Sequence, residues 1–134
     1  MTTDSNGRPL RFESLEENMH FQGVQDVSPT EVHDKIAQMG EALRIIDVRQ
    51  PEEFVGELGH VPNSELMVLN YLPELLAEET DKTQHIVFVC RSGGRSAQAT
   101  AYAHAQGFTS VYNMKGGMIF WNDLRLPTED EIGK

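Results

Sequence analysis

The sequence predicts an α/β domain, a doubly wound sheet of about five parallel strands with helices on both faces. Three observations predict it. Short apolar runs of strand length alternate with helix-length segments along the chain. One run, Ile86-Val87-Phe88-Val89, is apolar at every position, as a strand covered on both faces must be. Helix start and stop residues stand where the alternation needs them.

Taken in order, residues 1–22 read as a polar leader. Thr2, Thr3, Asp4, Ser5, Asn6, Gly7 and Pro9 offer little to bury, and the segment is expected to be flexible and outside the fold. A single domain over 23–127 and a tail over 128–134 follow. Within the domain, 24–27 reads as a short strand. Ser28 is a helix cap with Pro29 next and Glu31 three residues on, so a helix is expected over 31–39, ending near Gly40. A second strand is expected over 43–48, a short helix from Pro51, and a brief strand over 65–68. Leu72, Leu75 and Leu76 share one face of a helix over 71–79. After the strand at 86–89, an alanine-rich helix is expected over 95–106, stopped by Gly107. A last strand at 110–112 and a helix over 117–124 complete the alternation. No repeat and no linker interrupts it.

Composition narrows the function classes. The 134 residues are 39% hydrophobic and 24% charged, the balance of one globular domain. No apolar run approaches the ~20 residues needed to span a bilayer. The first residues lack the apolar core of a signal peptide, so a cytoplasmic location without a membrane partner is the expectation. A net charge of −10 argues against nucleic acid as a partner, because phosphates would be repelled. His20, His33, His85 and His104 have no metal-ligand spacing with one another or with the single cysteine, so neither a metal nor a cofactor is expected.

That cysteine, Cys90, ends the strand expected to be fourth in the chain, and Arg91, Ser92, Gly93, Gly94, Arg95 and Ser96 follow it. Ligands of open α/β sheets bind beyond the carboxyl ends of the strands. Two glycines allow the backbone to curl with its N–H groups inward, and the helix that follows adds free N–H groups and the positive end of its dipole. A sulfur in such a cradle, flanked by Arg91 and Arg95, is favoured as an anion, and Cys90 is expected to be a thiolate at neutral pH. An inert core thiol is the ordinary role of a lone cysteine, but its place before a Gly-Gly turn argues against that. Arg91 is expected at the mouth of the site, Arg95 as a brace of the turn, and Ser96 as a helix cap. Asp47 and Arg49 read as a structural ion pair or loop anchor, with Arg49 and Glu53 spaced for pairing. His60 reads as a packing or hydrogen-bonding residue.

The segment Cys90-Arg91-Ser92-Gly93-Gly94-Arg95-Ser96 resembles the active-site loop of rhodanese-type sulfurtransferases. Asp47-Val48-Arg49, Glu53-Phe54 and Gly59-His60-Val61-Pro62 resemble that family's first signature. Asn113-Met114-Lys115-Gly116-Gly117-Met118 with Trp121 resembles its closing segment. The likeness runs from about residue 24 to 127. It implies a single-domain thiosulfate sulfurtransferase. Cys90 would take sulfane sulfur as a persulfide from a small-molecule donor such as thiosulfate, or from a protein donor, and pass it to cyanide, a thiol or a protein acceptor. By the same resemblance Arg91, Ser92, Gly93, Gly94, Arg95 and Ser96 form the persulfide cradle, with Asp47, Arg49 and His60 in support.

Two alternatives remain open at this point. Four residues separate Cys90 from Arg95, where phosphatases and arsenate reductases on the same scaffold have five. A persulfide-sensing or partner-binding module would keep the same loop. The sequence departs from the family pattern at Asn63-Ser64-Glu65, where a small pair and then asparagine are usual, and the turn at 62–66 is left undefined.

Overall fold

The computed structural model describes residues 12–130. In chain order its elements are β1 (Glu16–Glu17), β2 (Gln25–Val27), α1 (Pro29–Met39), β3 (Leu43–Asp47), α2 (Pro51–Phe54), β4 (Glu65–Leu66), α3 (Leu72–Ala77), β5 (His85–Val89), α4 (Gly94–Ala105), β6 (Val111–Met114) and α5 (Gly117–Asp123). The strands form one sheet in the order β1-β2-β6-β5-β3-β4. β2, β6, β5, β3 and β4 run parallel, the five expected, and β1 pairs antiparallel with β2 at the edge.

Strand β5 explains the layering. Its side chains alternate between two cores. Val87 and Val89 face one that contains Val32 and Met39 of α1 and Met118 and Trp121 of α5. Ile86 and Phe88 face the other, with Leu72 and Leu76 of α3 and Ala99 and Ala103 of α4. The apolar run therefore has no polar face because neither face meets water. The alanines let α4 lie close on the sheet. Among the described residues, no helix is long and apolar enough to cross a membrane.

The sixth strand revises the reading of the leader. Residues 12–22 were expected outside the fold, yet Phe12 is buried in the first core and Glu16 and Glu17 add the antiparallel edge. Apart from Phe12, polar contacts hold this segment, so it has no hydrophobic period to mark it. Ser28 caps α1 as expected, its Oγ accepting the Glu31 N–H at 3.2 Å. The reciprocal half of the capping box is replaced. The Glu31 carboxylate accepts the N–H groups of Glu13 and Ser14 and the Ser14 hydroxyl, and Ser14 Oγ accepts the Ser28 N–H. Burial raises the Glu31 pKa, but those donors outweigh it and hold the carboxyl below the usual range. Residues 1–11 of the expected leader, and 131–134 of the tail, lie outside the described residues.

The divergent turn is also defined. Asn63 takes φ +67°, a left-handed conformation that asparagine tolerates better than most residues. Its N–H donates to Glu129 Oε1 at 3.2 Å, while Ser64 N–H closes the turn on Val61 O at 3.0 Å. Chain 128–130 is thereby fastened over the turn, with His60 and Glu129 forming an antiparallel bridge.

Candidate active site

Cys90 follows β5 directly, and Gly94 opens α4, so the four residues 90–93 make the whole connection. The curl depends on Gly93, which sits at φ +105° as the residue preceding α4. Its N–H donates to Cys90 Sγ at 3.1 Å, the inward amide expected of this turn. The sulfur is more enclosed than a surface loop implies. Cys90 is 1% exposed and packs against the second core, but its Sγ keeps polar contacts on the loop side.

Helix α5 fixes the outside of the loop. The N–H groups of Met118 and Ile119 donate to the Cys90 and Arg91 carbonyls at 2.9 and 3.0 Å. These bonds hold two loop carbonyls toward α5. A β-carbon at Gly117 would fall 2.5 Å from both carbonyl oxygens, so this glycine is demanded by close approach as well as by its φ of +59°.

Arg95 braces the loop as expected, and its partner is Glu53. The two form a bidentate pair at 2.8 and 2.9 Å, tying α4 to α2. The Arg95 guanidinium pulls the Glu53 carboxyl down to about 2, so the pair stays charged through the neutral and mildly acidic range. The expected Arg49–Glu53 contact is therefore not made. Arg49 turns inward to Asp47, where Nε and Nη2 donate to the carboxylate at 2.9 and 2.8 Å, and Nη2 also reaches Gly59 O at 2.7 Å. Both residues are essentially fully buried. This buried pair spans from the carboxyl end of β3 to the 59–62 turn. His60 stacks on Phe54 with ring centroids 3.6 Å apart, and its Nδ1 lies 2.7 Å from Phe54 O. It packs there and bonds to backbone.

Ser96 does not cap. It lies in the first turn of α4, fully buried, with its hydroxyl 3.3 Å from Cys90 Sγ and within hydrogen-bond distance of Asn113 Oδ1. Asn113 belongs to β6, which begins and ends later than the 110–112 expected. Its role beside the sulfur was not read from the sequence. Arg91 and Ser92 are exposed, and Arg91 forms no ion pair with a carboxylate among the described residues. A hollow of about 380 Å³ borders the loop at Ser92, Gly93 and Gly94. A larger one of about 580 Å³, near Arg44 and Ser64, is lined by no residue of the loop.

The model of the rhodanese-like domain matches residues 28–124. The chain belongs to the rhodanese-like domain family. The putative sulfurtransferase YtwF of Bacillus subtilis is 39% identical over 104 residues, covering 78% of this chain and 96% of that protein. Thiosulfate sulfurtransferase GlpE of Pseudoalteromonas translucida is 35% identical over 104 residues, covering 77% and 90%. Among solved structures, the human single-domain sulfurtransferase TSTD1 superposes with a TM-score of 0.65 at 26% identity, covering 73% of this chain and 95% of that one. At that level the chain groups with sulfurtransferases of the rhodanese type. The match includes the whole cysteine loop, whereas β1 and β2 precede it.

Proposed function

We propose that this rhodanese-like domain transfers sulfane sulfur through a persulfide on Cys90. The observation that carries the reading is the Gly93 N–H on Cys90 Sγ, inside a turn whose carbonyls are held outward by α5. An anionic sulfur is stabilised by such donors in a site with little water. With thiosulfate as donor, the Cys90 thiolate attacks the outer sulfur. The S–S bond of thiosulfate breaks, sulfite leaves with the bonding electron pair, and Cys90 carries –S–S⁻. A thiolate or cyanide acceptor then attacks the outer sulfur and frees the Cys90 thiolate, a ping-pong sequence. Relatives named thiosulfate sulfurtransferase support thiosulfate as one small donor. Gly94, Ser92, Arg95 and Ser96 complete the cradle, while Asp47, Arg49 and His60 support it from the neighbouring turn.

Intact-mass spectrometry tests this reading. Protein treated with thiosulfate should gain the mass of one sulfur atom and lose it again on addition of cyanide. A sulfur that is retained after cyanide points to a persulfide sensor, and no gain at all overturns the carrier role.

Arg91 is assigned to attracting the donor, because it directly follows Cys90, is exposed, and pairs with no carboxylate among the described residues. Arg91→Ala should raise the KM for thiosulfate roughly fivefold with little change in kcat, as loss of ground-state attraction does. Steady-state kinetics at low ionic strength measures it. An unchanged KM removes Arg91 from donor binding.

A further inference from the structure

A chain of side-chain hydrogen bonds leads away from the sulfur to a carboxylate with no part in the transfer chemistry. Asp26 of β2 is only 9% exposed, and its Oδ1 accepts from Asn113 Nδ2 at 2.9 Å and from Asn18 Nδ2 at 3.0 Å. Asn113 Oδ1 in turn meets the Ser96 hydroxyl, which lies 3.3 Å from Cys90 Sγ. Chemistry fixes the orientation of every link. An ionised carboxylate only accepts, so Asn113 must present its NH2 to Asp26 and its carbonyl oxygen to Ser96. Asn18 is fixed likewise, because its Oδ1 is engaged by the N–H groups of His20 and Phe21.

Ser96 has one hydroxyl proton and two neighbours that could take it. Asn113 Oδ1 is pinned as an acceptor, so the proton belongs on that bond, leaving a lone pair of Ser96 Oγ toward the sulfur. A neutral Cys90 thiol satisfies this arrangement, donating its S–H to Ser96 while accepting from Gly93. A thiolate does not: Ser96 must turn its proton to the sulfur and abandon Asn113. A persulfide carries its charge on the outer sulfur and leaves the Ser96–Asn113 bond intact. We infer that Asp26 is a positioning residue. Acting through Asn113 and Ser96, it disfavours negative charge on Cys90 Sγ relative to charge on the outer persulfide sulfur. The inference deepens the reading of Cys90 as sulfur carrier and rests on it.

Asp26 also carries charge of its own, so the test must separate relay from field. The charged groups on the elements around Cys90 are Arg91 of the loop, Arg95 of α4 with its partner Glu53, Asp47 at the end of β3 with Arg49, Lys115 after β6 with its partner Glu16, and Asp26 itself; α5 has no acidic residue in its first turn. The measurement is the ultraviolet absorbance of the thiolate against pH on reduced full-length protein, with Cys90→Ser as blank, since the chain has one cysteine. It needs no sulfur transfer, so failure of the carrier reading would be seen separately by mass. Asp26→Ala frees Asn113 to reverse and lets Ser96 donate to sulfur, so the thiolate should appear about one pH unit lower. Asp26→Asn keeps an acceptor toward Asn113 and should titrate like wild type. In a Ser96→Ala background, Asp26→Ala should have no further effect. An equal shift in that background, a shift with Asp26→Asn as large as with Asp26→Ala, or no shift with Asp26→Ala each overturns the relay. Near-ultraviolet circular dichroism of each variant checks that the fold is kept.

Discussion

Cys90→Ser should abolish sulfur transfer, lowering the rate by at least about a thousandfold in a thiosulfate-to-cyanide assay. The nucleophile must be anionic, and a serine hydroxyl is far too weak an acid to supply an alkoxide near neutral pH. No other thiol exists in the chain to take over. The neighbouring Ser96 hydroxyl is no substitute, since it is fully buried and hydrogen-bonded to Asn113. The substitution is also a fair one structurally. The new hydroxyl has the Gly93 N–H to accept from and Ser96 within reach, so an unpaired buried polar atom is avoided. Circular dichroism should therefore be unchanged while transfer is lost. Activity within tenfold of wild type in the variant would remove Cys90 as the carrier.

How far the sequence reveals this site follows from the kind of force at each residue. β5, the turn and α4 were legible because apolar runs, paired glycines and an alanine-rich helix leave local marks of a few residues. The five parallel strands followed from the same signals. Glu53 as the partner of Arg95 was not legible, because the two are separated by 42 positions and surface-type ion pairs have no period. Arg49 and Glu53 had the spacing of a helical pair, but Arg49 precedes α2 and is drawn inward by Asp47 and Gly59 O. Ser96 departs from its expected role as a cap for a related reason. Its place in the first turn of α4 suits a cap, yet Gly93 already enters the helix in a left-handed conformation, which leaves the hydroxyl free to face sulfur. The edge strand β1 was missed because Ser14, Asn18 and Glu31 hold it by polar contacts, and polarity is also what a solvated leader looks like.

The buried Asp47–Arg49 pair carries the largest expected stability effect. Asp47 is 0% and Arg49 1% exposed, so neither charge has solvent to fall back on. Asp47→Ala leaves the guanidinium with the Gly59 carbonyl and no hydrogen-bonded carboxylate, since Glu53 is held by Arg95, and should cost about 3–5 kcal/mol. Against a typical total of about 5–15 kcal/mol, that is a large share of the whole. Urea denaturation followed by circular dichroism should find the unfolding free energy lowered by that amount, seen as a lower midpoint at an unchanged slope. Replacing both residues, as in Asp47→Leu with Arg49→Met, should recover most of the loss, because the penalty comes from the unpaired charge rather than from the missing attraction. The double variant still gives up the bond to Gly59 O, which helps to hold the 59–62 turn beside α2. Its stability should thus return further than its activity. A single variant that loses less than about 1 kcal/mol would mean that water reaches Arg49, and that the pair does not anchor the turn.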